Sequence, residues 1–281
     1  MIKRLSEIAP AYDHFIIDIF GVIHDGIRPF PETIETLNAL RKAGKQICLL
    51  SNSPRLAVRA VEHMKYMGIS RRLYDHIVTS GEATYEHLNT PEFRSKACWF
   101  IGKNFQEDLE NLNLQFTDGP EGAEFILNSI PGTGPSAVDL LKRQLEFAAS
   151  RAIPMICANP DLVVNIGEEQ FECAGTFALL YEQMGGRVVY HGKPHEPVYE
   201  RCHELLGHPD KSRIAAIGDS LHTDIAGANR FGIAGIWNVV GIHWEELRMD
   251  HKPEEADLAK LEALVKSQPH KPDYVMKGFK W

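Results

Sequence analysis

Short apolar runs alternate with amphipathic stretches almost from end to end of this chain, and no other feature limits its fold so strongly. In the first part, predicted strands at His14–Asp18, Gln46–Leu50 and His76–Thr79 are separated by predicted helices at Pro31–Ala43 and Pro54–Met67. Neighbouring parallel strands need crossover connections, which are usually helices. The alternation therefore predicts an α/β fold in which helices cover a parallel sheet.

The same alternation restarts near residue 187. The strands predicted there are Arg187–Tyr190, Arg213–Ile217 and Ala234–Trp237, and the helices are Glu196–Leu206 and His222–Arg230. We expect these strands to join the sheet begun by the first part of the chain. The core would then consist of residues 1–80 and 187–267.

The residues between these two regions, 81–186, carry elements of their own. They are predicted strands at Cys98–Ile101, Glu124–Leu127 and Pro154–Cys157 and predicted helices at Ser136–Ala149 and Thr176–Met184. We therefore expect an inserted α/β domain. The basic and aromatic tail, 268–281, could contact a partner, but exposed aromatic side chains are costly, so we expect it to dock on the core.

Composition excludes several classes of function. The net charge of −8 disfavours nucleic-acid binding, which relies on Lys and Arg to neutralise phosphates. No segment approaches the roughly 20 apolar residues that span a membrane, and the charged N-terminus is unlike a signal peptide. The five cysteines are scattered and three lie in or beside apolar runs, which is typical of reduced, buried thiols in a cytoplasmic protein.

Polar residues follow two of the predicted strands. Asp18 ends an apolar run and is followed by Gly21, and Ser51 and Asn52 come directly after the next run. Ligands of open parallel sheets bind at the carboxyl ends of strands, where an aspartate can act as a nucleophile or metal ligand and a hydroxyl can hold a phosphoryl oxygen. Taken singly, Asp18 could instead form a turn, and Ser53 could cap the following helix.

Two further signals lie in the last part of the chain. Lys193 stands between glycine and proline in a short loop, where it could neutralise a phosphate, although lone lysines are usually solvated. Asp219 and Asp224 follow the strand Arg213–Ile217, and paired carboxylates at a strand end suit Mg²⁺. Asp224 could also stabilise the N-terminus of the next helix. The order of all these residues, each after a strand, points to one site.

Together, Asp18, Ser51, Lys193 and the pair Asp219 and Asp224 resemble the four motifs of the haloacid-dehalogenase (HAD) superfamily of phosphohydrolases. The large insertion and the run CANPD resemble its NagD-like class IIA branch, with a C2-type cap on a Rossmann-like core. The resemblance implies Asp18 as nucleophile, Ser51 and Lys193 as catalytic residues, and Mg²⁺ held by Asp18, the residue at 20, Asp219 and Asp224. It implies a small phosphorylated metabolite as the substrate, hydrolysed through an aspartyl phosphate.

The same resemblance assigns substrate contacts to three loops. Gly21 and Asn52 lie beside the nucleophile and the Ser/Thr motif, and Asn159, Pro160 and Asp161 would lie on a cap loop that faces the site. An ordinary Asn-Pro turn is the alternative for the cap residues. The sequence leaves open whether the chain forms a homo-oligomer.

Phe20 departs from the family pattern, which has a second aspartate at this position. The metal contact is expected to survive, because the family uses the backbone carbonyl here. The missing carboxyl would protonate the leaving group and activate water, a contribution of about 10²–10⁴-fold. This predicts a phosphatase that favours aryl or acyl phosphates, unless His24 or Asp25 supplies the proton. Alternatives are a scaffold that only binds a phosphorylated ligand, a dehalogenase, and a phosphotransferase.

Overall fold

The computed structural model describes residues 1–102, 105–129, 135–166, 169–243, 247 and 258–281, so part of the predicted core segment 187–267 lies outside the described residues. Its strands are β1 His14–Asp18, β2 Gln46–Ser51, β3 His76–Thr79, β4 Ala97–Ile101, β5 Gln115–Thr117, β6 Phe125–Asn128, β7 Met155–Cys157, β8 Val163–Ile166, β9 Glu169–Glu172, β10 Val188–Tyr190, β11 Ile214–Gly218, β12 Ala234–Asn238 and β13 Tyr274–Met276. Its α-helices are α1 Thr33–Lys42, α2 Ala57–Tyr66, α3 Ser80–Leu88, α4 Pro135–Ser150, α5 Ala174–Gln183, α6 Glu196–Leu205, α7 Ala226–Phe231 and α8 Leu258–Ser267.

The first sheet is parallel throughout, with the strand order β13-β12-β11-β1-β2-β3. Its central strands are buried along nearly their whole length, which explains why they appear in the sequence as continuous apolar runs. Separate clusters of buried side chains pack on its two faces. The predicted α/β fold with a parallel core sheet is confirmed.

A second parallel sheet, in the order β10-β7-β6-β4-β5, is built mainly from the inserted segment, beside an antiparallel hairpin of β8 and β9. One prediction is corrected here. The strand at Arg187–Tyr190 was assigned to the core, but β10 pairs with β7 in the second sheet. The connection from β7 to β10 runs through the β8–β9 hairpin and α5 and returns the chain to the same sheet. We therefore place the proposed boundary of the inserted unit after Tyr190.

The C-terminal tail docks on the core, as predicted. Its strand β13 pairs with β12, and Ile2 from the N-terminal segment bridges to Met276. Phe279 is buried in the same apolar cluster as the core strands. All five cysteines are free and buried, which confirms that prediction. Within the described ranges, no helix is long and apolar enough to cross a membrane.

Candidate active site

The carboxyl edge of the core sheet brings three of the predicted segments together. Asp18 is the last residue of β1, Ser51 is the last residue of β2, and Asp219 directly follows β11. Lys193 comes from the loop after β10 in the second sheet and is buried at this edge. Its Nζ donates hydrogen bonds to Asp18 Oδ1 and, at 2.8 Å, to Asp224 Oδ1. The lysine motif therefore meets the nucleophile and the acidic motif in one place.

Asp18, Asp219 and Asp224 form a compact acidic cluster, with one carboxylate oxygen of each lying within 4.8 Å of the others. Burial, followed by the charges of Asp18 and Asp224, raises the pKa of the Asp219 carboxyl well above its usual range. Among the described residues, Lys193 is the cation that forms ion pairs in this cluster, with Asp18 and Asp224. The cluster therefore lacks positive charge, and its hard oxygen donors fit a divalent cation such as Mg²⁺.

The backbone holds Asp219 and Asp224 at their positions. Asp219 Oδ2 accepts a hydrogen bond from the Ile242 N–H at 2.8 Å. Asp224 lies in a π-helical turn, Leu221–Ile225, and its Oδ2 accepts from the Ser220 N–H at 3.1 Å. Such turns widen a helix locally and often occur at functional sites. Here the turn directs Asp224 back towards the end of β11 rather than along α7.

Gly21 lies beside the acidic cluster. It has a positive φ of 86°, and an added Cβ would collide with the Asp219 carboxylate. Glycine is therefore needed at this position both for the backbone conformation and for the close approach. Its assignment to substrate binding stays a prediction, while its packing against Asp219 is a feature that the sequence did not reveal.

Asn52 links the second motif to the lysine loop. Its Oδ1 accepts from the Lys193 N–H at 2.7 Å, and its Nδ2 donates to the Lys193 carbonyl at 3.0 Å and to Asp161 Oδ1 at 2.8 Å. Ser51 Oγ accepts from the Ser53 N–H at 3.1 Å. The alternative that Ser53 caps the next helix is wrong, since α2 begins after Leu56 without a side-chain cap.

The CANPD loop reaches the core sheet. Asn159 is buried, and its Oδ1 accepts from the Asp161 N–H at 3.1 Å, so the residues do form an Asn-Pro turn. That turn also presents Asp161 to Asn52. Pro160 packs against the lysine loop, where a Cβ at Gly192 would lie 2.8 Å from its Cδ. Burial raises the pKa of Asp161 to about 6. The turn and the placement beside the site are thus compatible.

Phe20 places an aromatic ring, rather than a carboxyl group, two residues after Asp18. Its ring meets His24 edge to face at 5.5 Å, and His24 in turn meets His63 at 5.6 Å. His24 Nδ1 accepts from the Gly26 N–H, and burial lowers the pKa of His24 to about 4, which leaves it neutral near pH 7. Asp25 Oδ1 accepts backbone N–H groups of its own turn. Nδ1 of His24 and Oδ1 of Asp25 therefore both accept from the backbone of their own turn.

Sequence reasoning missed Trp237 and Asn238, at the end of β12. Trp237 Nε1 donates to the Asp219 carbonyl at 2.8 Å, and Asn238 Nδ2 donates to the Gly21 carbonyl at 3.2 Å. The available signal was a polar residue directly after a predicted strand, the same signal that identified Asp18 and Ser51.

Comparisons with known proteins agree with this geometry. A family model described as haloacid dehalogenase-like hydrolase matches residues 15–115, and a HAD-hydrolase-like model matches residues 190–280. The crystal structure of a haloacid dehalogenase-like hydrolase from Brucella suis 1330 is 30% identical, covers 99% of this chain and 100% of its own, and has a TM-score of 0.81. The chain belongs to the haloacid dehalogenase-like hydrolase family.

A curated relative supports phosphatase activity for this HAD chain, and a further solved structure shares its fold. A 4-nitrophenylphosphatase from Schizosaccharomyces pombe is 22% identical over 300 residues, which span 98% of this chain and 95% of that protein. A glycerol phosphate phosphatase from Mycobacterium tuberculosis, solved in complex with magnesium, shares the fold with 18% identity, 99% coverage of this chain, 78% coverage of its own and a TM-score of 0.68. Membership of the HAD superfamily is confirmed, and these relatives support its class IIA branch.

Proposed function

We propose that this HAD hydrolase is a Mg²⁺-dependent phosphatase that hydrolyses a small phosphorylated metabolite through an aspartyl phosphate at Asp18. The observation that carries the proposal is the buried contact of Lys193 with both Asp18 and Asp224, inside a cluster of three carboxylates. A nucleophile, a cation for phosphoryl oxygens and a set of hard oxygen ligands are the parts that phosphoryl transfer requires. Reduced, buried cysteines support a cytoplasmic location.

The metal would be held by the carboxylates of Asp18, Asp219 and Asp224, together with the backbone carbonyl of Phe20. A bound Mg²⁺ neutralises negative charge on the transferring phosphoryl group and orients it. The charge balance of the site supports this assignment, because Lys193 pairs with two of the three clustered carboxylates, Asp18 and Asp224. A cation would also relieve the raised pKa of Asp219, which results from burial and like charge.

The residues divide the reaction into two displacements. In the first, a carboxylate oxygen of Asp18 forms a bond to phosphorus, and the bond from phosphorus to the leaving-group oxygen breaks. In the second, water attacks the phosphorus, the bond to Asp18 breaks, and the carboxylate and inorganic phosphate are released with a proton passing to solvent. In this reaction Lys193 and the Ser51 hydroxyl would donate hydrogen bonds to the phosphoryl oxygens.

Phe20 sets the preferred leaving group. An aromatic ring cannot protonate a departing alkoxide, and His24 Nδ1 and Asp25 Oδ1 both accept backbone N–H groups of their own turn. Aryl and acyl phosphates need no such proton, because their leaving groups are stable as anions. We therefore propose that the enzyme favours these esters over alkyl phosphates. Phe20 also favours a second candidate, a scaffold that binds a phosphorylated ligand without turnover.

A phosphatase screen over phosphorylated metabolites, run with Mg²⁺ and with EDTA, tests the proposal. Asp18→Asn is the matched blank, because it keeps the size of the side chain and removes the nucleophilic carboxylate. We expect turnover by the wild type with Mg²⁺ alone and none by the blank. Activity that persists in Asp18→Asn would remove the central claim. Binding of beryllium fluoride without any turnover would instead identify the scaffold.

A further inference from the structure

The side chain of Asn238 bridges two loops at the carboxyl end of β12. Asn238 is 1% exposed, and its Nδ2 donates to the Gly21 carbonyl at 3.2 Å and to the Val240 carbonyl at 3.3 Å. Gly21 belongs to the loop after the nucleophile, whereas Val240 precedes Gly241 in the loop after β12. The two N–H donors of the amide thus link the loop after β12 to Gly21, which is remote in sequence.

These two loops enclose the carboxylate of Asp219. Gly21 and Gly241 both have a positive φ, 86° and 134°, and a Cβ added to either would collide with Oδ2 of Asp219. The Ile242 N–H donates to that same oxygen at 2.8 Å. Asn238 therefore fixes the separation of the two backbone segments between which the carboxylate lies. Trp237, its neighbour on the strand, holds the Asp219 carbonyl.

The carbonyl half of the Asn238 amide shows that asparagine at this position carries a cost in stability. Asn238 Oδ1 is buried and has no hydrogen-bond partner among the described residues. A buried acceptor without a partner costs free energy that an apolar side chain of the same shape would not. Leucine would avoid that cost but would leave the Gly21 and Val240 carbonyls without this donor. Asparagine at this position therefore serves the two donated hydrogen bonds, which join the loops around Asp219.

We propose that Asn238 is a positioning residue that holds Asp219 in the geometry needed to bind the divalent cation. The inference rests on the proposed function, since it takes the acidic cluster to be a Mg²⁺ site. Residues that orient metal ligands through hydrogen bonds typically change metal affinity by about 10–100-fold when they are replaced. The cluster itself would be unchanged in composition, so the effect would come only from its alignment.

Calorimetric titration of the full chain with Mg²⁺ alone, without substrate, tests this proposal. In Asn238→Leu, which keeps the volume and removes both donors, we expect the dissociation constant for Mg²⁺ to rise about 10–100-fold. The matched control is Asn128→Leu. Asn128 is also fully buried, donates to the Ala174 carbonyl at 2.9 Å and has an unpartnered Oδ1, but it lies in the second sheet. We expect it to bind Mg²⁺ like the wild type.

The outcomes separate the two proposals. Equal Mg²⁺ affinity in the wild type and Asn238→Leu overturns the positioning role, and so does an equal loss in Asn238→Leu and Asn128→Leu. A wild type that binds no Mg²⁺ overturns the proposed function instead. Thermal unfolding without metal shows whether each variant is folded. If Asn238→Leu does not fold, Asn238→Ala takes its place, with the same expected loss and the same control position.

Discussion

At the scale of single residues, Phe20 leaves the proposed nucleophile Asp18 in place but provides no acid to protonate the leaving group. Replacing Phe20 by Asp would supply the carboxyl that the site lacks, so we expect hydrolysis of an alkyl phosphate to rise about 10²-fold. The kcat/KM of an aryl phosphate would change little, because this constant reports the first displacement and an aryl leaving group needs no proton there. Steady-state kcat/KM for matched alkyl and aryl esters measures the difference.

Phe20→Leu is the control for this change, since it removes the ring that packs against His24 without adding an acid. An equal gain in Phe20→Leu and Phe20→Asp would show that the ring obstructs the substrate. In that case the missing carboxyl would not be what limits alkyl phosphates.

His24 makes a separate contribution, to the pH dependence of stability. Burial, and then the neighbouring His63, lowers its pKa from 6.5 to about 4. The unfolded chain therefore binds more protons than the folded chain between these values, and stability falls as the pH falls through this window. At 1.36 kcal/mol per pKa unit, the loss from pH 7.5 to pH 4 is about 3 kcal/mol.

His24→Asn isolates that contribution, because the amide oxygen can still accept the Gly26 N–H but does not titrate. We expect the wild type to lose about 3 kcal/mol relative to this variant as the pH falls from 7.5 to 4, as measured by urea unfolding. A difference in unfolding free energy that is constant with pH would contradict the assignment of the shift to His24.

At the scale of elements, the loop after β1 depends on its glycine. Gly21→Ala would place a Cβ against Asp219, and a misplacement of about 1 Å in such a site costs about 10²-fold in rate. Gly68→Ala is the matched control, since Gly68 has a similar φ of 82° but no atom within 4 Å of an added Cβ. Both variants share the backbone strain, so only Gly21→Ala should lose Mg²⁺-dependent activity. An equal loss in both would assign the effect to strain alone.

Strands could be predicted where an apolar run marks them in the sequence, but the sheet that each strand joins could not. Asp18, Ser51 and Asp219 were identifiable because each follows an apolar run that is buried on both faces of a parallel sheet. The run at 187–190 was recognised as a strand, but its sheet depends on pairing with β7, which no local pattern encodes. Asn238 also directly follows a predicted strand, but the role of its amide depends on two acceptors that lie far apart in the chain, which no local pattern encodes.

At the scale of the whole molecule, the site depends on contacts between the two sheets. Lys193 follows a strand of the second sheet but makes ion pairs with carboxylates at the edge of the first. Asn52 of the core accepts a hydrogen bond from the Lys193 N–H of the same loop and donates one to Asp161 of the CANPD turn. Arg59 of α2 pairs with Asp108 at 3.3 Å, farther along the same boundary. Any relative movement of the two units would therefore shift the lysine together with the CANPD loop.

The three buried carboxylates at this junction should lower the stability of the whole chain when no metal is bound. Without metal, Asp219→Asn removes one of three buried like charges, so we expect it to unfold at a higher temperature than the wild type. A gain of 1 kcal/mol corresponds to about 2–4 °C for a chain of this size.

With Mg²⁺ at about 100 times its dissociation constant, the wild type gains about 2.7 kcal/mol, whereas the variant lacks a ligand and gains little. The order of the two melting temperatures should therefore reverse when Mg²⁺ is added, as followed by calorimetric scans at one pH. A wild type that is already the more stable protein without metal would show that the three carboxylates do not repel one another as their burial implies.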